Sequence, residues 1–117
     1  MPDAITIVNE YLAAFYAGDF ARARGYVSER FHFKGPFVEA VNRETFFESA
    51  ARLAAIVRGH EVLRQWRDGQ DVCTVFEMRM GSGSVTTCEW HTVEGSLLVK
   101  ARVILDSNAF RALMPVR

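Results

Sequence analysis

The chain is short of cysteine, proline and histidine, and its charges cancel. Two cysteines, Cys73 and Cys88, do not make a disulfide framework; thiols in a reducing compartment fit them better. Three histidines, scattered over different elements, argue against a metal site. Lysine plus arginine and aspartate plus glutamate each total 14, so no basic excess points to nucleic acid or an anionic membrane. No apolar run is long enough to span a bilayer. The opening MPDAITIVNEY has no basic n-region and no small-residue cleavage site, so a cytoplasmic protein is expected. CxxC, HExxH, P-loop and GxGxxG are all missing, and no metal or cofactor is expected.

What the chain does have is apolar bulk. Half of its 117 residues are hydrophobic and nine are Phe, enough for a sizeable core in one domain spanning 1–117. Zero net charge leaves little repulsion against self-association, which points towards a homodimer.

Ile5, Val8, Leu12 and Phe15 follow helical spacing behind a capping Asp3. Gly18 ends that helix, and Asp19 caps a shorter one through about Tyr26. FHFKGPF (31–37) reads as a short strand broken at Gly35-Pro36. Asn42 caps a third helix, RETFFESAARLAAIV, closed by Gly59, with Phe46, Phe47, Ala50, Leu53, Ala54 and Val57 on its inner side. Beyond it everything reads as strand and turn: 60–67, 71–80, 85–93 and 96–105, joined at Asp68-Gly69, Gly81 to Ser84 and Glu94-Gly95. Short turns between neighbours give an antiparallel meander. Asp106 or Ser107 can cap a final turn, NAFRALM. The order α-α-β-α-β-β-β-β is that of an α+β fold.

Together these segments resemble one superfamily. IVNEYLAAFYAGDFARARGYVSERFHFKGPF is similar to the first helical hairpin and first strand of NTF2-like proteins, in their SnoaL-like and ketosteroid-isomerase-like branches. NRETFFESAARL is similar to their third helix, and VEGSLLVKARVILD to their final hairpin. The likeness covers nearly the whole chain. It implies a cone, in which three N-terminal helices are wrapped by a strongly curved, mainly antiparallel sheet with a pocket open at one end. It also implies a small, largely apolar ligand, and pairing of two subunits through the outer face of the sheet.

Glu89 and His91 lie two residues apart on the strand 85–93, so both point to one face. In the last strand Leu97, Val99, Ala101, Val103 and Leu105 form an apolar stripe. A two-residue turn at Glu94-Gly95 pairs Glu89 with Lys100 and turns it away from that stripe. A three-residue loop, Val93-Glu94-Gly95, pairs Glu89 with Val99 and His91 with Leu97, inside the cone. The first demands positive φ at Glu94 as well as Gly95, the second at Gly95 alone, so the second is favoured. It faces Glu89 and His91 inward and Trp90 outward. Burial in an apolar pocket disfavours a carboxyl's charged form, and imidazole is poised near neutrality, so such a pair suits proton transfer. The alternative is a pair of hydrogen-bonded structural groups.

By the resemblance, Glu89 stands where ketosteroid-isomerase-like members carry an acid that donates to the substrate oxygen. Tyr11 stands where they carry the oxyanion-hole tyrosine. The general-base Asp of those enzymes, just before a Pro in the first strand, is replaced here by Gly35, which argues against steroid isomerisation by that route. Asp106 is the one candidate for the acid of the polyketide-cyclase branch, although a helix cap accounts for it equally well. The catalytic candidates are therefore Glu89, His91 and Tyr11. Tyr16, Phe33, Phe47 and Trp66 are candidates for lining the pocket. His32, alternating with Phe31 and Phe33, is expected to face outward, and His60 to be exposed. Two classes of function remain open: a cofactor-independent isomerase, cyclase or dehydratase, or a non-catalytic binding or dimerisation module whose pocket is closed by aromatics.

Overall fold

The computed structural model describes residues 3–114. Helix α1 (Ala4–Tyr16) starts where the Asp3 carboxylate accepts from the Thr6 N–H at 2.9 Å. Helix α2 (Phe20–Arg24) starts in the same way under Asp19, which accepts from the Arg22 N–H at 3.1 Å. These caps satisfy amides that the first turn leaves unpaired. Strand β1 (Val27–Lys34) runs to the break at Gly35-Pro36, after which a two-residue strand, β2 (Glu39–Ala40), folds back on it. Helix α3 (Arg43–Ala54) is capped by Asn42. Strands β3 (Val57–Asp68), β4 (Asp71–Met80), β5 (Gly83–Glu94) and β6 (Leu97–Leu105) follow, and then α4 (Ser107–Leu113), capped by Asp106.

The strands form one curved sheet in the order β2-β1-β6-β5-β4-β3, open at both edges. All neighbours are antiparallel except β1 and β6, which run parallel. Along β4 and β5 burial alternates strictly, so Val72, Thr74, Phe76, Met78, Val85, Thr87, Glu89, His91 and Val93 all enter the concave side, as the two-residue period of a strand requires. Helix α1 lies across β3 to β6 on that side, and α3 packs on β1 and β2. Ile7, Val8, Leu12, Phe31 and Leu98 fill the space between. This is the expected α+β cone.

Several boundaries differ from expectation: α2 ends at Arg24 rather than near Tyr26, β1 runs Val27–Lys34 rather than 31–37, and β5 starts at Gly83 rather than at 85. The third helix stops at Ala54 instead of reaching Val57, and β3 starts at Val57 rather than at 60. The β-branched pair Ile56-Val57 favours extended backbone, and Val57 pairs with Met80 of β4. Gly59 (φ 144) then sits inside the strand, next to a register shift, rather than closing a helix.

The last hairpin also departs from both registers considered. Glu94 pairs with Leu97, so the loop is Gly95-Ser96, with the glycine first at φ 63. Among the described residues only glycines have positive φ, so Ser96 does not, which is the pattern of a II′ turn, whose twist matches that of the strands. A bulge at Val99 then shifts the pairing by one residue. Glu89 consequently faces Val103 and His91 faces Ala101, not Val99 and Leu97. The bulge turns Leu97 outward and puts Leu98 in its place, fully buried. Glu89 and His91 still point inward, because the altered turn and the bulge together preserve which face each side chain takes.

Candidate functional site

Consecutive rows of the concave face bring polar groups together. One row runs Gln65, Thr74, Glu89, Val103; the next runs Arg67, Val72, His91, Ala101. Glu89 is 6% exposed and His91 0%. From α1 above, the Tyr16 hydroxyl donates to Glu89 Oε2 at 2.9 Å. His91 Nε2 lies 3.2 Å from Glu89 Oε1, but off the direction of a hydrogen bond. Neither ring nitrogen has a hydrogen-bond partner among the described residues. The Tyr11 ring stands edge-on to His91, 5.6 Å between centroids.

Tyr16 is itself clamped. Its ring stacks on His60 at 5.0 Å, and meets Phe15 and Phe76 edge-on at 5.0 and 5.4 Å. Burial pushes both Tyr11 and Tyr16 well above the ordinary phenol value, and the charge of Glu89 adds to it. Both phenols therefore stay protonated, as donors, across the neutral range. Burial also pushes His60 below its ordinary value, with Glu89 opposing and Arg79 assisting.

A cavity of about 410 Å³ opens beside this cluster. Its floor is Tyr11, Tyr16, Met78, Thr87 and Glu89; its walls include Phe15, Phe33, Phe46, Ala50, Leu53 and Val103; Pro36, Phe37, Arg52, Phe110, Arg111 and Met114 surround its opening. Of the residues picked out by sequence, Tyr11, Glu89, Tyr16 and Phe33 meet at this void. His91 does not line it and lies behind the carboxylate. Phe47 is buried against Phe20 and Phe46, in the core rather than at the cavity. Trp66, 55% exposed, points to the convex face, because it pairs with Cys73 rather than with the inward Thr74. Asp106 caps α4 through the Asn108 and Ala109 N–H groups and does not line the cavity. His32 faces outward, 2.8 Å from Glu39.

His60 is half-buried on Tyr16 rather than exposed. It pairs with the inward Met78, between the two register shifts of β3. Sequence reasoning also missed the opening of the cavity, because α4 read as a trailing turn. The apolar Phe110, Leu113 and Met114 in NAFRALM, behind a capping Asp106, were the available signal. Gly35 lines the cavity as well, where an added Cβ would meet the Phe33 ring at 3.2 Å. A base on that residue has to displace the ring. Among the described residues no group of three His, Cys, Asp or Glu side chains comes together to hold a metal, and no helix is long and apolar enough to cross a membrane.

By sequence, no family model and no curated protein matches the chain. By structure, it is similar to an NTF2-like protein of unknown function from Cytophaga hutchinsonii, with 18% identity and a TM-score of 0.83 over 95% of this chain and 96% of that one. A de novo designed protein with a curved β-sheet matches with 16% identity and a TM-score of 0.82, covering 94% and 90%. TerC, crystallised with polyporic acid, matches with 14% identity and a TM-score of 0.78, covering 94% and 96%. The chain has the NTF2-like fold. At these identities the likeness extends to the fold alone.

The buried phenols generate a pH prediction. Unfolded tyrosines ionise near pH 10, while Tyr11 and Tyr16 hold their protons to higher pH in the folded state. Above that point the unfolded chain binds fewer protons than the folded one, so stability falls as pH rises. Urea unfolding from pH 8 to pH 12 should show this loss, with a shallower slope in Tyr16→Phe. Equal slopes in the two proteins would contradict the assignment.

Proposed function

We propose that the cavity binds a small, largely apolar molecule and that Glu89 exchanges a proton with it. One observation carries this reading: Glu89 is the single carboxylate among the residues lining the void, with the Tyr16 hydroxyl donating to it at 2.9 Å. A carbonyl compound lying on the floor meets a carboxylate able to take a proton from its α-carbon. It also meets Tyr11, a protonated phenol suited to donate to the carbonyl oxygen as negative charge develops there. Return of the proton to the same carbon is exchange or epimerisation, and its return to the γ-carbon of a conjugated enolate is a double-bond isomerisation; neither needs a cofactor. His91 lies behind Glu89, with Nε2 3.2 Å from Oε1. That a protein of the same fold, TerC, was co-crystallised with polyporic acid supports small-molecule binding.

A second reading, a non-catalytic binding module, is favoured by Gly35, which leaves the cavity without a second carboxylate. Acetophenone in deuterated buffer separates the two, since its methyl protons exchange through an enolate. NMR should show exchange accelerated by the wild-type protein and reduced by about a hundredfold or more in Glu89→Gln, with acetophenone still bound. Binding without acceleration would leave the binding module as the function.

We further propose that two copies pair through the convex face. Its central rows run Trp66, Cys73, Trp90, Arg102 and Arg64, Val75, Cys88, Ile104. Trp90 and Ile104, at 37% and 65%, are exposed for side chains of their kind. Sedimentation should give a dimer at micromolar concentration for the wild type and a monomer for Ile104→Lys. A wild-type monomer would refute the pairing.

A further inference from the structure

We infer that the ligand of this cavity is an amphipathic anion: an apolar body with a neutral polar group at the inner end and a carboxylate or similar anion at the outer end. The inference rests on the binding reading above and adds the charge and orientation of the ligand. Exposure along the lining separates floor from opening. Tyr11 and Glu89 are 2% and 6% exposed, whereas Phe37 and Met114 are 44% and 39% exposed. Formal charge follows the same axis. The lining contains one negative group, Glu89, at the floor, and two positive ones, Arg52 and Arg111, both exposed.

Among the described residues neither guanidinium enters an ion pair. Arg52 stands in the last turn of α3. Arg111 lies over the Phe37 ring at the opening, with its Cζ 5.1 Å from the ring centroid. That contact holds the guanidinium on the rim, and no hydrogen bond engages its N–H groups among the described residues. Guanidinium stays charged at every physiological pH and presents its donors in a fork that fits a carboxylate.

The two ends of the axis also fix which way the ligand enters. An anion driven to the floor meets the Glu89 carboxylate in a poorly solvated site, where like charges repel strongly. A neutral carbonyl or hydroxyl meets the Tyr11 and Tyr16 phenols there with no such repulsion. The anionic end therefore stays at the opening, between α3 and α4. The apolar walls between the two ends set the length of the ligand.

The test is isothermal titration calorimetry with the ω-phenylalkanoates, from phenylbutanoate to phenyloctanoate, each beside its primary amide. At the matching length the acid should bind the wild-type protein about fivefold tighter than its amide, the upper end for exposed charge pairs. The gap should narrow as salt is added. In the double variant Arg52→Gln, Arg111→Gln, acid and amide should bind alike. Both arginines are exposed, so the variant keeps the fold, which circular dichroism verifies. Amides that bind as tightly as acids at every length would overturn the anion inference and leave the apolar cavity standing. Failure of both series at every length would remove the cavity-binding reading and this inference with it.

Discussion

Burying one carboxylate constrains most of what surrounds it. An ionised Glu89 at the floor of an apolar cavity loses its hydration, and several kcal/mol are at stake unless protein groups replace the water. The Tyr16 hydroxyl supplies the direct replacement, at 2.9 Å from Oε2. A phenol can do so only if its ring is held in place, and Phe15, His60 and Phe76 hold it. The effect runs both ways: the carboxylate reinforces the protonated state of both phenols around it. Charge at the floor and donors above it are thus one arrangement, assembled from α1, β3, β4 and β5.

The sheet delivers that arrangement through register. Glu89 sits between Thr74 and Val103, in the middle of the strand row that faces α1. A slip of one residue would exchange it for Trp90 and put a carboxylate on the convex face. The II′ turn at Gly95-Ser96 and the bulge at Val99 cancel in parity, so the inward face is kept. Architecture alone does not confer chemistry: a designed protein shares this curved sheet, and what distinguishes a site is the set of side chains placed on it.

Much of this was legible beforehand. Asp3, Asp19, Asn42 and Asp106 all cap helices, because a short polar side chain before an apolar helical repeat has a single efficient use. The strand alternation followed from periodicity, Tyr11 from the family likeness, and Tyr16 was a candidate for lining the pocket. The inward direction of Glu89 was reached through a hairpin register that the structure replaces with another of the same parity. Exact pairing did not follow. A Glu-Gly-Ser turn admits more than one placement of the glycine, and a bulge leaves no mark in an apolar strand such as LLVKARVIL. Nor did the depth of side chains show: Phe47 and Trp66 are aromatic like Phe33, yet lie in the core and on the convex face, since position on an element decides what a side chain meets.

The coupling between Tyr16 and Glu89 tests the central claim most directly. A double-mutant cycle in urea with Tyr16→Phe, Glu89→Gln and the combined variant isolates their interaction. A hydrogen bond to a buried charged group predicts a coupling of about 1.5–3 kcal/mol. Additive single effects, within about 0.5 kcal/mol, would mean that the carboxylate does not depend on the phenol, and the floor of the cavity would have to be understood in other terms.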